Sequence, residues 1–209
     1  MRITEIFHSI QGEGLYTGIP MLFVRTNRCN LRCIWCDSKY TFTGGEEMDT
    51  GKVAKEAIGS WEEWICFTGG EPLIQKDAGD FLRAVTESGK RVLVETSGSI
   101  NIERFAFSDL VSFDVDVKTP SSGESGSFLM DNLKTMRNGD YLKFVISDET
   151  DYEFSRKFLK NVPQGIPAVF QPCWGTDMKW LVELIMRDRV QVRLMSQLHK
   201  QIWGEIQGV

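Results

Sequence analysis

No apolar run in this chain approaches the roughly 20 residues needed to cross a bilayer as a helix, and no block of lysine and arginine is long enough to track a phosphate backbone. The expectation is therefore neither a membrane partner nor a nucleic-acid partner, and the formal net charge of −5 points the same way. Histidine is scarce. His8 and His199 are the only two, so a zinc site of three cysteines and one histidine would have to borrow its fourth ligand from far along the chain. Cysteines number five, an odd count. The opening Met1-Arg2-Ile3-Thr4-Glu5 carries an acid where a secretory leader would be apolar. A disulfide framework is not expected, and a cytoplasmic protein with reduced thiols is. The 209 residues, 42% hydrophobic and 25% charged, suit one soluble domain spanning 1–209 with one sizeable core.

Three of the five cysteines crowd into eight residues, as C-N-L-R-C-I-W-C from Cys29 through Cys33 to Cys36. Three thiolates at that spacing can hold three corners of a [4Fe–4S] cluster and leave its last iron open to a ligand. A redox C-x-x-C made of Cys33 and Cys36 would leave Cys29 idle. The spacing C-x-x-x-C-x-x-C, with Trp35 before the last cysteine, resembles the signature of the radical S-adenosylmethionine (SAM) enzymes. That resemblance implies that SAM chelates the open iron through its amino and carboxylate groups. It also implies that the reduced cluster cleaves SAM to a 5′-deoxyadenosyl radical, the protein supplying aim and shielding.

Short Val-, Ile- and Phe-rich runs predict strands at Met21–Arg25, Trp64–Phe67, Arg91–Glu95, Val111–Val117, Tyr141–Ile146, Ala168–Gln171 and Val190–Met195. Amphipathic stretches between them predict helices at Asp49–Ile58, Ala78–Ser88, Asp151–Leu159 and Asp177–Arg187, with Asp49 and Asp177 as caps. Gly44–Glu47 and Ser121–Gly126 read as flexible loops. Alternating strands and helices imply parallel strands with helical crossovers. Polar motifs recur where the strands end: the cysteine loop, Thr68-Gly69-Gly70-Glu71-Pro72, Glu95-Thr96-Ser97-Gly98, Asp116-Val117-Lys118-Thr119-Pro120, Gln171-Pro172 and Gln197-Leu198-His199-Lys200. Polar strand ends in phase are the layout of a β/α-barrel active site. Seven strands in this length predict an α/β fold, an incomplete TIM-like (β/α) barrel, and the resemblance implies that it is of the radical SAM type.

Taken singly, each motif has a plainer reading. Gly69-Gly70 is a turn unless its backbone must lie close to a ligand. Ser9-Ile10-Gln11-Gly12-Glu13-Gly14 lacks dinucleotide-loop spacing and reads as an ordinary turn, but Gln11 and Glu13 offer the donor and acceptor groups that suit an aminopyrimidinone edge. Arg25, at a strand end, is either a surface ion pair or a two-bond grip on a carboxylate. His199 is a candidate substrate hydrogen-bonding group or a strand-end cap. Cys66 reads as core and Cys173 as a thiol lining the pocket.

Together, E-I-F-H-S-I-Q-G-E-G, F-V-R-T-N-R-C-N-L-R-C-I-W-C-D-S, T-G-G-E-P, E-T-S-G and Q-L-H-K resemble the 7-carboxy-7-deazaguanine synthase family of radical SAM enzymes, from Glu5 to about Lys200. The Q-G-E-G phrase joined to the cysteine loop is the specific part; GGEP is shared widely. The resemblance implies a carbon–nitrogen lyase that converts 6-carboxy-5,6,7,8-tetrahydropterin to 7-carboxy-7-deazaguanine, with ring contraction and loss of ammonia, feeding 7-deazapurines such as queuosine and archaeosine. It implies a [4Fe–4S] cluster on Cys29, Cys33 and Cys36, SAM that is regenerated, and Mg²⁺ held by Ser38. It also implies an electron donor such as flavodoxin or ferredoxin, and a homodimer. Substrate contacts carry over to Ile10, Gln11, Gly12, Arg25 and Thr68, beside the candidates Glu13 and His199. SAM contacts carry over to Gly70, Asp116, Val117, Lys118 and Gln171-Pro172-Cys173-Trp174, with Gly69 and Glu71 in the GGE motif. Trp35, Glu95 and Ser97 join them by position. Many members read S-P-K where this chain has Asp116-Val117-Lys118, which implies backbone contacts there. The family's C-terminal end closes over substrate; here the chain runs on from Gln201 to Val209. Two rival readings are a glycyl-radical-enzyme activase, which would need a protein partner, and a non-catalytic iron–sulfur protein, which would need no pocket.

Overall fold

The computed structural model of the chain describes residues 1–206 and Gly208. Its backbone is organised around one sheet. Strands are β1 (Arg2–Ile10), β2 (Pro20–Thr26), β3 (Glu46–Glu47), β4 (Trp64–Gly69), β5 (Arg91–Thr96), β6 (Val111–Asp116), β7 (Tyr141–Ile146), β8 (Ala168–Pro172) and β9 (Arg193–Leu194). Helices are α1 (Thr50–Gly59), α2 (Ala78–Glu87), α3 (Asn132–Thr135), α4 (Glu149–Phe158), α5 (Met178–Asp188) and α6 (Leu198–Trp203). Among the described residues the nine strands lie in the order β3-β1-β2-β4-β5-β6-β7-β8-β9. From β2 to β9 every neighbouring pair is parallel, while β1 runs antiparallel to β2 and β3 antiparallel to β1. The two edge strands do not pair with each other, so the barrel is open. Among the described residues no helix is long and apolar enough to cross a membrane.

The seven expected strands are the parallel ones. Two more lie outside them. β1 was hidden because its register slips between Ile3 and Glu5, which breaks the period-two pattern that marks a strand. β3 corrects the flexible-loop reading of Gly44–Glu47: Glu46 and Glu47 pair with Ile3 and Arg2, and Arg2 Nε donates to the Gly44 carbonyl at 2.6 Å. The Ser121–Gly126 loop is likewise fastened, by Ser121 N and Oγ donating to the Asp151 carboxylate. The last strand shrinks to Arg193–Leu194, and α4 starts at Glu149 rather than Asp151 because Asp148 caps it, accepting from Asp151 N.

Strand alternation sorts the side chains. Leu22, Val24, Ile65, Phe67, Val92, Val94, Phe113, Val115, Leu142, Phe144 and Phe170 join the core under the helices. Their neighbours Met21, Phe23, Cys66, Leu93, Tyr141 and Val169 form a smaller apolar layer on the opposite face. Further along the same inward rows the residues turn polar: Arg25, Thr68, Glu95, Asp116, Lys143 and Gln171, all lining one cavity. The apolar layer closes the bottom of the half-barrel, and the polar ends of the rows form the floor of the site.

Candidate active site

The cavity has a volume of about 450 Å³, within the range of small-molecule sites (~300–1,000 Å³). One wall is the cysteine loop. Cys29, Cys33 and Cys36 all line the cavity. The loop leaves β2 through Arg28, whose φ of 77° is a left-handed conformation unusual for a non-glycine residue. Tertiary bonds hold that turn: Arg28 N donates to the Thr41 carbonyl at 2.6 Å, and Glu71 N donates to the Arg28 carbonyl at 3.0 Å. The far end is tied to the loop after β6. Ile34 N donates to the Ser122 carbonyl at 2.9 Å, Arg32 N to Glu124 at 2.7 Å, and Trp35 Nε1 to Ser121 Oγ at 3.0 Å.

The donor set fits an iron–sulfur cluster. Three soft thiols on one wall select such a group over hard cations. Among the described residues, the acid, histidine and thiol atoms that gather within 4.8 Å of one another belong to Glu13, Asp37 and His199, with no cysteine among them. The three thiols are thus not drawn together on a single ion. Burial pushes all three thiols up, Cys33 to about 11, so a metal must displace their protons to bind.

Beyond the cysteines the floor is a network of charges. Glu95 accepts from Gln11 Nε2 at 2.9 Å and from Thr68 Oγ1 at 2.6 Å. Lys143 reaches Asp114 at 2.9 Å, Glu13 at 3.0 Å and Asp116 at 3.5 Å. Burial pushes Asp114 up to about 7, although Lys143 opposes the rise. Asp116 pairs with Lys118 at 2.7 Å, and the Lys118 ammonium lies 5.6 Å from the Trp35 ring centre. Arg25 donates from Nε to Glu5 at 2.7 Å and sits 5.5 Å over the Phe7 ring. The rim is formed by α6 with Gly204, Glu205, Ile206 and Gly208. Leu198 N donates to the Gly12 carbonyl at 2.8 Å, Gln197 Nε2 to Glu13 at 2.7 Å, and Lys200 stands 3.4 Å from Asp37. A Cβ on Gly12 would lie 2.2 Å from His199 Nδ1, so only glycine lets α6 close onto that loop.

The cavity brings together Ile10, Gln11, Gly12, Glu13, Arg25, Thr68 and His199 with Trp35, Gly69, Gly70, Glu95, Ser97, Asp116, Lys118, Gln171, Cys173, Trp174 and Ser38. Three expected SAM contacts, Glu71, Val117 and Pro172, are not among the residues lining this cavity. Glu71 is fully buried and does not line the cavity. Its carboxylate accepts from Leu73 N, Thr96 Oγ1 and Ser97 N and Oγ, so it fastens the β4 loop to the end of β5. Burial raises its pKa against those bonds. Val117 belongs to the core; its backbone N donates to the Lys143 carbonyl at 2.9 Å. Pro172 lines a neighbouring cavity of about 400 Å³, shared with Cys173, Trp174 and Gln197. Gly70 also has a packing role. A Cβ on Gly70 would meet the Arg28 carbonyl at 2.2 Å and Cys29 Cβ at 2.9 Å, so the small residue makes room for the cysteine loop itself. Gln11 lines the cavity, but both ends of its amide are engaged within the protein, with Glu95 and with Glu13 N.

Lys143, Gln197, Tyr40 and Phe7 line the cavity too, although none was named as a contact from the sequence. A lysine inside the apolar run Tyr141–Ile146 was the available signal, because a buried charge is rarely accidental. Of the C-terminal segment, Gly204, Glu205, Ile206 and Gly208 line the cavity; Gln207 and Val209 lie outside the described residues.

Comparison with known proteins agrees with this geometry. The model of the radical SAM superfamily matches residues 23–146. A 7-carboxy-7-deazaguanine synthase of Thermoplasma acidophilum is 51% identical over 209 residues, covering 100% of both chains. One from Koribacter versatilis is 44% identical, again over 100% of both. The crystal structure of QueE from Escherichia coli superposes with a TM-score of 0.78 at 21% identity, covering 95% of this chain and 94% of that one, and so supports the fold. The chain belongs to the radical SAM superfamily and, within it, to the 7-carboxy-7-deazaguanine synthase family.

Proposed function

We propose that this chain converts 6-carboxy-5,6,7,8-tetrahydropterin to 7-carboxy-7-deazaguanine and ammonia. The observation that carries the reading is one cavity lined by the three cluster cysteines together with Arg25, Thr68, Glu95 and Glu13. When bound to Cys29, Cys33 and Cys36, a [4Fe–4S] cluster with SAM supplies the radical that starts the ring contraction. The residues do the rest of the positioning. Gly69, Gly70, Ser97, Asp116, Lys118 and Gln171 flank the cysteine wall and hold SAM. Arg25, already fixed by Glu5 through Nε, has its Nη pair left to grip the substrate carboxylate. Glu13 and the Thr68–Glu95 pair accept from the ring's N–H groups, and α6 covers the site. A protein activase would need an open face for a polypeptide, whereas these polar groups converge inside a cavity suited to a small molecule. The electron enters from a flavodoxin- or ferredoxin-type donor. The chain works as a cytoplasmic homodimer, in keeping with its free cysteines and family.

The reading is tested by anaerobic turnover of the carboxytetrahydropterin beside a tetrahydropterin without the carboxyl group; only the first should yield a deazapurine. Arg25→Lys keeps the charge but loses the fork and the Glu5 bond. It should raise the substrate KM about tenfold or more, the size of one charge-assisted hydrogen bond, with SAM affinity unchanged. Equal KM values would remove Arg25 from the role.

Ser38 fits a magnesium ligand. Although it begins the short turn Lys39–Phe42, its hydroxyl makes no capping bond and instead donates to Asp37 at 3.0 Å on the cavity wall. Hydroxyl and carboxylate oxygens are the hard donors Mg²⁺ prefers, and it takes few of them from protein. Ser38→Ala should lose most Mg²⁺ stimulation while keeping its iron, and Ser38→Thr should remain active. A Ser38→Ala protein that responds to Mg²⁺ as the parent does would move the ligand to Asp37.

A further inference from the structure

Lys143 is the most heavily engaged charge in the cavity floor. Its side chain is 6% exposed and its ammonium faces Asp114, Glu13 and Asp116 at 2.9, 3.0 and 3.5 Å. An ammonium has three protons to donate, and here three carboxylates surround it. Asp114 alone, on the neighbouring strand, would neutralise it. The bond that needs explanation is the one to Glu13, which crosses from β7 to the loop after β1, a strand outside the parallel set.

Glu13 is gripped from both sides. Lys143 donates to Oε2 and Gln197 to Oε1, but the side chain keeps 17% exposure and lines the cavity. Burial alone would neutralise such a carboxyl; Lys143, then His199 and Gln197, hold it ionised well below the usual carboxylate range. An ionised carboxylate has about four acceptor positions, so two occupied ones leave two for a ligand.

The geometry points to Lys143 as a positioning residue that fixes Glu13 as a charged, oriented acceptor for adjacent N–H donors, the ring N–H and exocyclic amine of a cyclic acylguanidine. The inference rests on the proposed pterin reaction and adds to it the residue that sets recognition of the ring edge. Lys143 acts through Glu13, so removing it weakens substrate binding and spares the reacting centre.

The test is steady-state turnover by the reconstituted full chain as Lys143→Met, Glu13→Gln and the double variant. Each single change should raise KM for the carboxytetrahydropterin about 30-fold, the scale of a lost charge-assisted contact, with kcat within about threefold. The double variant should be no worse than Glu13→Gln alone, because coupled residues are not additive. A Lys143→Met protein with unchanged KM, a loss confined to kcat, or multiplying effects would overturn the assignment. If Lys143→Met fails to take up iron, the Asp114→Asn/Lys143→Met pair, which leaves Asp114 no buried charge, enters the same comparison. Failure of that pair to take up iron would make Lys143 a residue of the fold and overturn the inference. A parent enzyme that does not convert the pterin overturns the reaction and this inference together; a parent that does, beside an unaffected Lys143→Met, overturns this inference alone.

Discussion

Cys33→Ala is expected to give a folded chain that reconstitutes no [4Fe–4S] cluster and forms no product. Cys33 is the middle thiol of the wall, 9% exposed, and a cluster left with two protein ligands loses the iron–thiolate bonds that hold it. The other two cysteines lie outside the cysteine loop. Cys66 is fully buried in the inner apolar layer, where burial pushes its thiol far up. Cys173 lies at the end of β8, beyond the cysteine loop, with its backbone N bonded to the Ile146 carbonyl at 2.8 Å. Iron analysis and absorption spectra should show about four irons per chain in the parent and in Cys173→Ala, and none held stably in Cys33→Ala. A full, SAM-responsive cluster in Cys33→Ala would remove the cysteine loop from its assigned role.

Gly70→Ala should be nearly as damaging, although no ligand atom is deleted. The added Cβ would meet the Arg28 carbonyl oxygen at 2.2 Å, its carbon at 2.6 Å and Cys29 Cβ at 2.9 Å. Two of these are backbone atoms that cannot swing away. The Arg28 carbonyl is also held by Glu71 N at 3.0 Å, and Arg28 already has φ of 77°. Overpacking of this kind costs about 1–3 kcal/mol, or about 2–4 °C of melting temperature per kcal/mol at this chain length. The larger effect is on Cys29, the first cluster ligand, which must move. Loss of most cluster iron is the expected outcome, read beside Gly79→Ala as control. At Gly79, within α2, a Cβ meets nothing within 4 Å, so alanine there should hold or slightly raise stability. Equal iron content in the two variants would show that the β4 loop does not set the geometry of the cysteine loop.

How much of this was legible depended on the physical signal each element carries. The parallel strands are buried on both faces and read as continuous Val, Ile, Leu and Phe runs, so each could be located. β9 is an edge strand with exposed Arg193, and its signal faded accordingly. α6 buries no residue and has no side-chain cap, which leaves neither periodicity nor a start signal to read, though it covers the site. Motifs at strand ends supply residues to one cavity, because a parallel sheet gathers its C-terminal ends. Direction within a motif was harder. Glu71 and Val117 sit beside Gly70, Asp116 and Lys118 in sequence but point into the protein, and a one-residue step in a strand or turn is enough to reverse a side chain. Lys143 shows the opposite case: a charge in the middle of an apolar strand was visible, but its partners Glu13 and Asp114 come from other elements that only the fold brings near.

The central claim is that this cavity carries out a ring contraction in which SAM is returned unchanged. The most direct measurement is the product balance of one anaerobic reaction of reduced, reconstituted chain with excess 6-carboxy-5,6,7,8-tetrahydropterin and substoichiometric SAM. The account predicts a product lighter than substrate by one ammonia, an equal amount of free ammonia, and product well in excess of the SAM supplied. One-for-one accumulation of 5′-deoxyadenosine and methionine, with the pterin recovered intact, would contradict it.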